Sequence, residues 1–187
     1  MSNFAVLSEA QGRELVVIAR ESLARYIRSG ELYTPPDVSA CLKETGGAFV
    51  TLLTRSTDSL RGCIGRLSSP QPLWQTVRDM AIAAGVSDNR FPPITTEEMK
   101  DCRIKVSVLS AFKTVSDPSQ IMIGEHGVLV KASGRTGVFL PEVAAEMGWD
   151  APTLLDRLCY EKCGLPSNSW KNAGAQISVF GSQVFSE

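Results

Sequence analysis

The chain has a single histidine, His126, among 187 residues. That scarcity excludes the HExxH pair and every multi-histidine metal arrangement, because each needs at least two imidazoles. An excess of charge of one sign is missing too: 19 Lys and Arg stand against 20 Asp and Glu, for a formal net charge of −1. So balanced a chain exerts no general pull on nucleic acid or an anionic membrane surface, and neither is expected as a partner. No apolar run approaches the ~20 residues that cross a bilayer. Met1-Ser2-Asn3-Phe4 lacks a charged region leading into a long apolar one, so no secretory leader is expected. The five cysteines, Cys41, Cys63, Cys102, Cys159 and Cys163, form an odd set without disulfide-framework spacing. Reduced thiols in a cytoplasmic protein are the simplest expectation. Cys159 and Cys163 supply half a zinc site, and no CxxC or second cluster completes it, so no metal is expected.

What is present reads as an ordinary globular chain, 43% apolar and 21% charged, long enough for one generous domain or two small lobes. Ser8-Glu9-Ala10-Gln11 matches a capping box, and Leu15, Ile18, Ala19, Ser22, Tyr26 and Ile27 follow at helical spacing, predicting a helix over about 8–28. Ala48 to Thr54 is a continuous apolar, β-branched run, a central strand. Ser56-Thr57-Asp58-Ser59 turns the chain, so that Leu60 to Ile64 returns as its hairpin partner. Pro70 and Pro72 open a second helix with Leu73, Val77, Met80 and Ala84 on one face. Thr95 to Glu98 repeats the capping box before a strand in which Cys102, Ile104, Val106 and Val108 alternate with Arg103, Lys105 and Ser107. Further on, Val128–Ala132 and Val138–Leu140 form a hairpin, helices start at Pro141 and after Asp150, and Gln176–Phe185 reads as one last strand. Helices interspersed with hairpins predict an α+β fold with a largely antiparallel sheet and flanking helices.

Leu60-Arg61-Gly62-Cys63-Ile64-Gly65 gathers a cation, a thiol and two glycines within six positions. Glycines allow positive φ and close backbone approach, and Gly62 before the thiol suggests a kink or bulge. Arg61, two residues from Cys63, shares its face on a regular strand, and a nearby cation is what an activated thiol requires. The bland alternative is a small buried hydrophobe in a strand. His126, in Gly124-Glu125-His126-Gly127, is the one imidazole available as a base; an exposed turn residue is the alternative. Arg90 with Phe91 and Pro92 suggests a guanidinium held ready for a carboxylate or phosphate, against a structural ion pair with Asp79 or Asp88. Cys102, Cys159 and Cys163 read as core.

The LRGCIG hexapeptide, the Asn89-Arg90-Phe91-Pro92-Pro93 loop, Val106-Ser107-Val108-Leu109-Ser110, Gly124-Glu125-His126-Gly127-Val128 and Leu140-Pro141-Glu142-Val143 together resemble the AMMECR family, over essentially the whole chain and in the family's order. Its prokaryotic members are called AmmeMemoRadiSam system protein A. The resemblance implies a single AMMECR-type domain over residues 1–187, built as two α+β lobes with the hexapeptide near a cleft between them. It implies a Memo-like protein and a radical-SAM-like protein as partners, and it names no activity or cofactor. By match to motif, Arg61, Gly62, Cys63, Gly65, Arg90, Phe91, His126 and Pro141 are carried over. Two departures stand out: Asp88-Asn89-Arg90 where relatives often have Asp-Pro-Arg, and Glu142 where glutamine is common. The expectation is then either a cysteine-dependent enzyme or enzyme component, or a non-catalytic partner module. In the first, Cys63 is nucleophile or carrier, His126 acid or base, and Arg61, Arg90, Gly62 and Gly65 hold a small anionic substrate.

Overall fold

The computed structural model describes residues 6–187, so the leader expectation for Met1 to Phe4 falls outside the described residues. The chain forms two compact units. One runs through Leu109 and regains Gln183–Glu187; the other is Ser110–Ser182.

In the first unit, Ser8 caps α1 (Glu9–Ser29) by the box read in the sequence: its hydroxyl accepts from the Gln11 N–H, and the Gln11 side chain accepts from the Ser8 N–H. There follow β1 (Ala48–Thr54), β2 (Leu60–Arg66), α2 (Leu73–Val86), a short α3 (Thr96–Lys100) capped by Thr95, and β3 (Cys102–Leu109). The second unit holds β4 (Lys113–Val115), β5 (Gly127–Ala132), β6 (Arg135–Phe139), α4 (Pro141–Glu146), α5 (Ala151–Arg157), which runs on into a π-helical turn, and β7 (Gln176–Phe180). The last strand, β8 (Ser182–Ser186), joins the first unit's sheet.

The α+β reading holds, with two sheets in place of one: β2-β1-β3-β8 and β4-β7-β5-β6. β1 pairs antiparallel with both β2 and β3, and β7 and β5 pair antiparallel with their neighbours. The predicted final strand 176–185 is two strands. It breaks at Gly181, whose N–H is held by the Ser110 hydroxyl at 2.8 Å, and its halves serve different sheets. β4 went unforeseen because three residues carry no alternation to read. Ser107, on the polar side of the alternation in β3, is nevertheless buried. Among the described residues no helix is long and apolar enough to cross a membrane.

Burial explains the first unit's order. Leu15 and Leu23 of α1, Leu73 and Val77 of α2, Val50 and Leu52 of β1, and Ile104 and Val106 of β3 are all fully buried in one cluster. Each contributes on the order of 1.5–3 kcal/mol. The opposite face of the sheet carries Thr51, Cys63, Arg103 and Lys105, all partly exposed. The second unit has its own core around Val128, Val130, Leu155 and Leu158.

Gly62 sets how closely β2 approaches α2: a Cβ there would overlap the Ala84 carbonyl oxygen, which belongs to the helix backbone and has little room to yield. Gly62→Ala is therefore expected to cost about 1–3 kcal/mol by forcing strand and helix apart. Urea denaturation checks this, and an unchanged midpoint would contradict it.

Candidate functional site

The hairpin register decides which side chains meet. Thr51 stands opposite Cys63 and Leu52 opposite Gly62, but Leu53 stands opposite Leu60. Arg61 is thus the extra residue of a β-bulge. A kink was expected beside the thiol; it lies two residues earlier, and it takes Arg61 out of the alternation that would share a face with Cys63. The Arg61 guanidinium turns to Glu98 (Nε to Oε1, 3.0 Å) and to the Pro92 carbonyl (Nη2, 2.9 Å), with its side chain only 11% exposed. Its Nη1 is buried and has no partner among the described residues.

Cys63 is held by its backbone. Its N–H donates to Asp88 Oδ2 at 2.8 Å, and its carbonyl accepts from Arg90 Nη2 at 3.3 Å. Asp88 and Arg90 are themselves joined by two side-chain hydrogen bonds, Nη2 to Oδ2 at 2.6 Å and Nε to Oδ1 at 2.9 Å, a bidentate fork. β2 is an edge strand, and the pair takes up the N–H and C=O that a further strand would otherwise bond. Because both groups of Cys63 point outward, Cys63 and Thr51 form a non-hydrogen-bonded pair, the closer of the two antiparallel spacings. The consequence is direct contact: the Thr51 hydroxyl donates to Cys63 Sγ at 3.2 Å. The Phe91 ring contacts two guanidinium groups, 5.7 Å from that of Arg61 and 5.6 Å from that of Arg90.

The electrostatics follow. Asp88, its side chain 3% exposed, is held well below the ordinary carboxylate range, first by the Arg90 side chain, against the opposing effect of burial, and then by the N–H groups of Cys63 and Arg90. Arg90 is raised by the same bond. Glu98 is lowered to about 2, first by the Arg61 side chain and then by the Thr95 N–H. Burial pushes the thiols of Cys102, Cys159 and Cys163 up, as suits core cysteines.

Of the residues singled out in the sequence, Cys63 and Arg90 meet, with Phe91 beside Arg90. Arg90 also makes the ion pair with Asp88 that was its bland alternative. Gly62 faces α2, on the side away from Thr51 and the sulfur. Gly65 stands opposite Phe49, whose ring fills the space a Cβ would take. Neither glycine has positive φ; both serve close approach. His126 belongs to the second unit, where its Nδ1 accepts the Met122 N–H at 3.2 Å and closes the turn before β5. Among the described residues no group of three His, Cys, Asp or Glu is arranged to hold a metal. The sequence reading missed Thr51, which hairpin register alone reveals, and the grip of Asp88 on Cys63, which depends on tertiary packing.

An α+β protein with two antiparallel sheets, and a half-buried thiol gripped on the edge strand of the first, is the class this structure defines. The chain belongs to the AMMECR1 family, whose model matches residues 16–185. It is 38% identical to Protein MK0488 of Methanopyrus kandleri, over 97% of this chain and 90% of that one. It is 37% identical to a protein of Methanothermobacter thermautotrophicus, over 98% of each. The crystal structure of the uncharacterized protein PH0010 from Pyrococcus horikoshii superposes with a TM-score of 0.88 at 33% identity, covering 97% of this chain and 93% of that one.

Two depressed carboxyls give stability a pH dependence of known sign. A group whose folded pKa lies below its unfolded value contributes fully above the unfolded value and loses that contribution as pH falls through the folded one. With ordinary values of 3.8 for Asp88 and 4.5 for Glu98, stability is expected to decline from about pH 4.5 toward pH 2. Asp88→Asn is expected to lose about 1–3 kcal/mol at pH 7 and to decline less on acidification. Urea midpoints at pH 7 and pH 3 check both, and an acid loss as steep as in the unaltered protein would contradict the assignment.

Proposed function

We propose that this chain works through Cys63, as an enzyme or enzyme component in which that thiol is a nucleophile or covalent carrier for a small anionic substrate. The supporting observation is the way the residue is fixed. The residue is half-buried, its sulfur accepts a hydrogen bond from Thr51, and its N–H and C=O are both held by the Asp88–Arg90 fork. A core cysteine needs neither feature; a nucleophile needs both access and orientation. Arg90 is 51% exposed, and its Nη1 bonds nothing among the described residues, leaving an N–H free for an anion on a guanidinium that contacts the Cys63 carbonyl. A free thiol so placed suits a reducing, cytoplasmic setting. Thiol-by-thiol alkylation with iodoacetamide, followed by mass spectrometry, tests this. Cys63 is expected to react faster than a free peptide thiol and ahead of Cys102, Cys159 and Cys163. Thr51→Val is expected to slow it about fivefold, the worth of one hydrogen bond. A rate at Cys63 no faster than that of the peptide thiol would refute the reading.

A second reading, a module that docks a Memo-like or radical-SAM-like protein, is favoured by one feature of the second unit. Met122, Ile123 and Met147 are exposed, and Gly124 brings their turn against Ala145 of α4. Such methionine-bearing patches suit adaptable interfaces. With the Memo-like protein co-expressed, Met147→Glu is expected to abolish co-purification while Cys63→Ser retains it. Retention by Met147→Glu would contradict this reading.

A further inference from the structure

The same register that sets Thr51 against Cys63 sets Lys105 of β3 against Thr51 on its other side. Cys63, Thr51 and Lys105 therefore occupy one cross-strand row, on the face of the sheet turned away from the core. Because Cys63–Thr51 is a non-hydrogen-bonded pair, Thr51–Lys105 is the hydrogen-bonded one. The two spacings, about 4.5 and 5.5 Å, put the end residues about 10 Å apart, within reach of a four-carbon stem leaning along the row.

Lys105 is half-buried, and no carboxylate lies within ion-pair distance of it among the described residues. Its neighbours on that face from β1, β2 and its own strand, Phe49, Leu53, Gly65, Arg103 and Ser107, include no acid; on the β8 side the adjacent acid, Glu187, is paired with Arg20 and Arg55. The adjacent cation, Arg103, is paired with Asp58. A lysine that gives up part of its hydration without gaining a counter-ion costs stability unless something else supplies the negative charge.

We infer that Lys105 is a second charge-selecting residue of the Cys63 site, on the β3 side where Arg90 is on the outer edge of β2, binding the oxyanion head group of a small ligand whose electrophilic end meets the sulfur across Thr51. This rests on the proposed function, since it presupposes an accessible Cys63. It adds a residue that neither the hexapeptide nor the Arg90 loop contains, and it orients the ligand along the row, anion toward β3 and reacting atom toward β2.

Iodoacetate and iodoacetamide make the test, because they deliver the same carbon to sulfur with and without a carboxylate. In each case the S–C bond forms as iodide leaves with its electron pair, and the thiol proton passes to buffer. In the folded protein the ratio of iodoacetate to iodoacetamide rates at Cys63 is expected to exceed that of a free peptide thiol. Lys105→Met is expected to lower it about three- to fivefold, the range of a partly screened charge pair. Lys105→Arg is expected to keep the ratio, as is Arg103→Met, whose charge is already paired. Added salt is expected to shrink the preference in the unaltered protein and to shrink it less in Lys105→Met, where Arg90 is the remaining cation. A ratio unmoved by Lys105→Met, in protein whose circular dichroism is unchanged, overturns this inference and leaves the thiol reading standing. If neither reagent labels Cys63 faster than the peptide thiol, the thiol reading fails and takes this inference with it.

Discussion

Everything at this site depends on one fork of two side chains. Asp88 and Arg90 lie two residues apart in a loop, and together they occupy the N–H and the C=O of Cys63. An edge strand normally leaves such groups open to water or to another chain. Here they are filled from within the same unit, by a carboxylate that is nearly inaccessible and a guanidinium that is half exposed. The fork closes the edge against a further strand and fixes the backbone from which the thiol projects. It occupies the outward groups of Cys63, whose pairing with Thr51 is by register the close, non-hydrogen-bonded one in which hydroxyl and sulfur touch. One interaction thus links sheet architecture to the orientation of a reactive atom.

The hexapeptide divides its labour around that fork. Gly62 admits the α2 backbone, Gly65 admits the Phe49 ring, and Arg61 forms the bulge that ties β2 to Glu98 and to the Pro92 carbonyl. Three of its six residues therefore serve to seat a fourth. Phe91 has both the Arg61 and the Arg90 guanidinium against its ring, which links the bulge to the fork. Glu98 closes the set by serving two purposes, as the reciprocal partner in the α3 capping box and as counter-ion to Arg61.

Much of the fold was legible because its signals are local. The capping boxes at Ser8 and Thr95 appear as read, and the strands at Ala48 and Cys102 start where β-branching and alternation placed them. The parts that were not legible depend on pairing. Gly181 interrupts Gln176–Phe185, but an isolated glycine does not say that the two halves serve different sheets; the hydrogen bonds that hold it come from Ser110, far away in the chain. The site shows the same division. Cys63 and Arg90 were visible as residue types beside glycines and prolines. Thr51 and Lys105 were not, since one lies inside a hydrophobic run and the other reads as the polar half of an alternating strand; only the register brings them into the row of the thiol. Arg61 shares the thiol's face only on a regular strand, and the one extra residue of the bulge removes that condition.

The most direct test of this account is amide hydrogen exchange at Cys63, an edge-strand N–H whose one protecting acceptor is the Asp88 carboxylate. The account predicts slow exchange in the unaltered protein and exchange faster by about tenfold or more in Asp88→Asn, the worth of a charged hydrogen bond. Ile64, bonded inward to β1, should keep its protection. Equal exchange at Cys63 in both proteins would mean that the fork does not hold the thiol's backbone, and the central claim would fall.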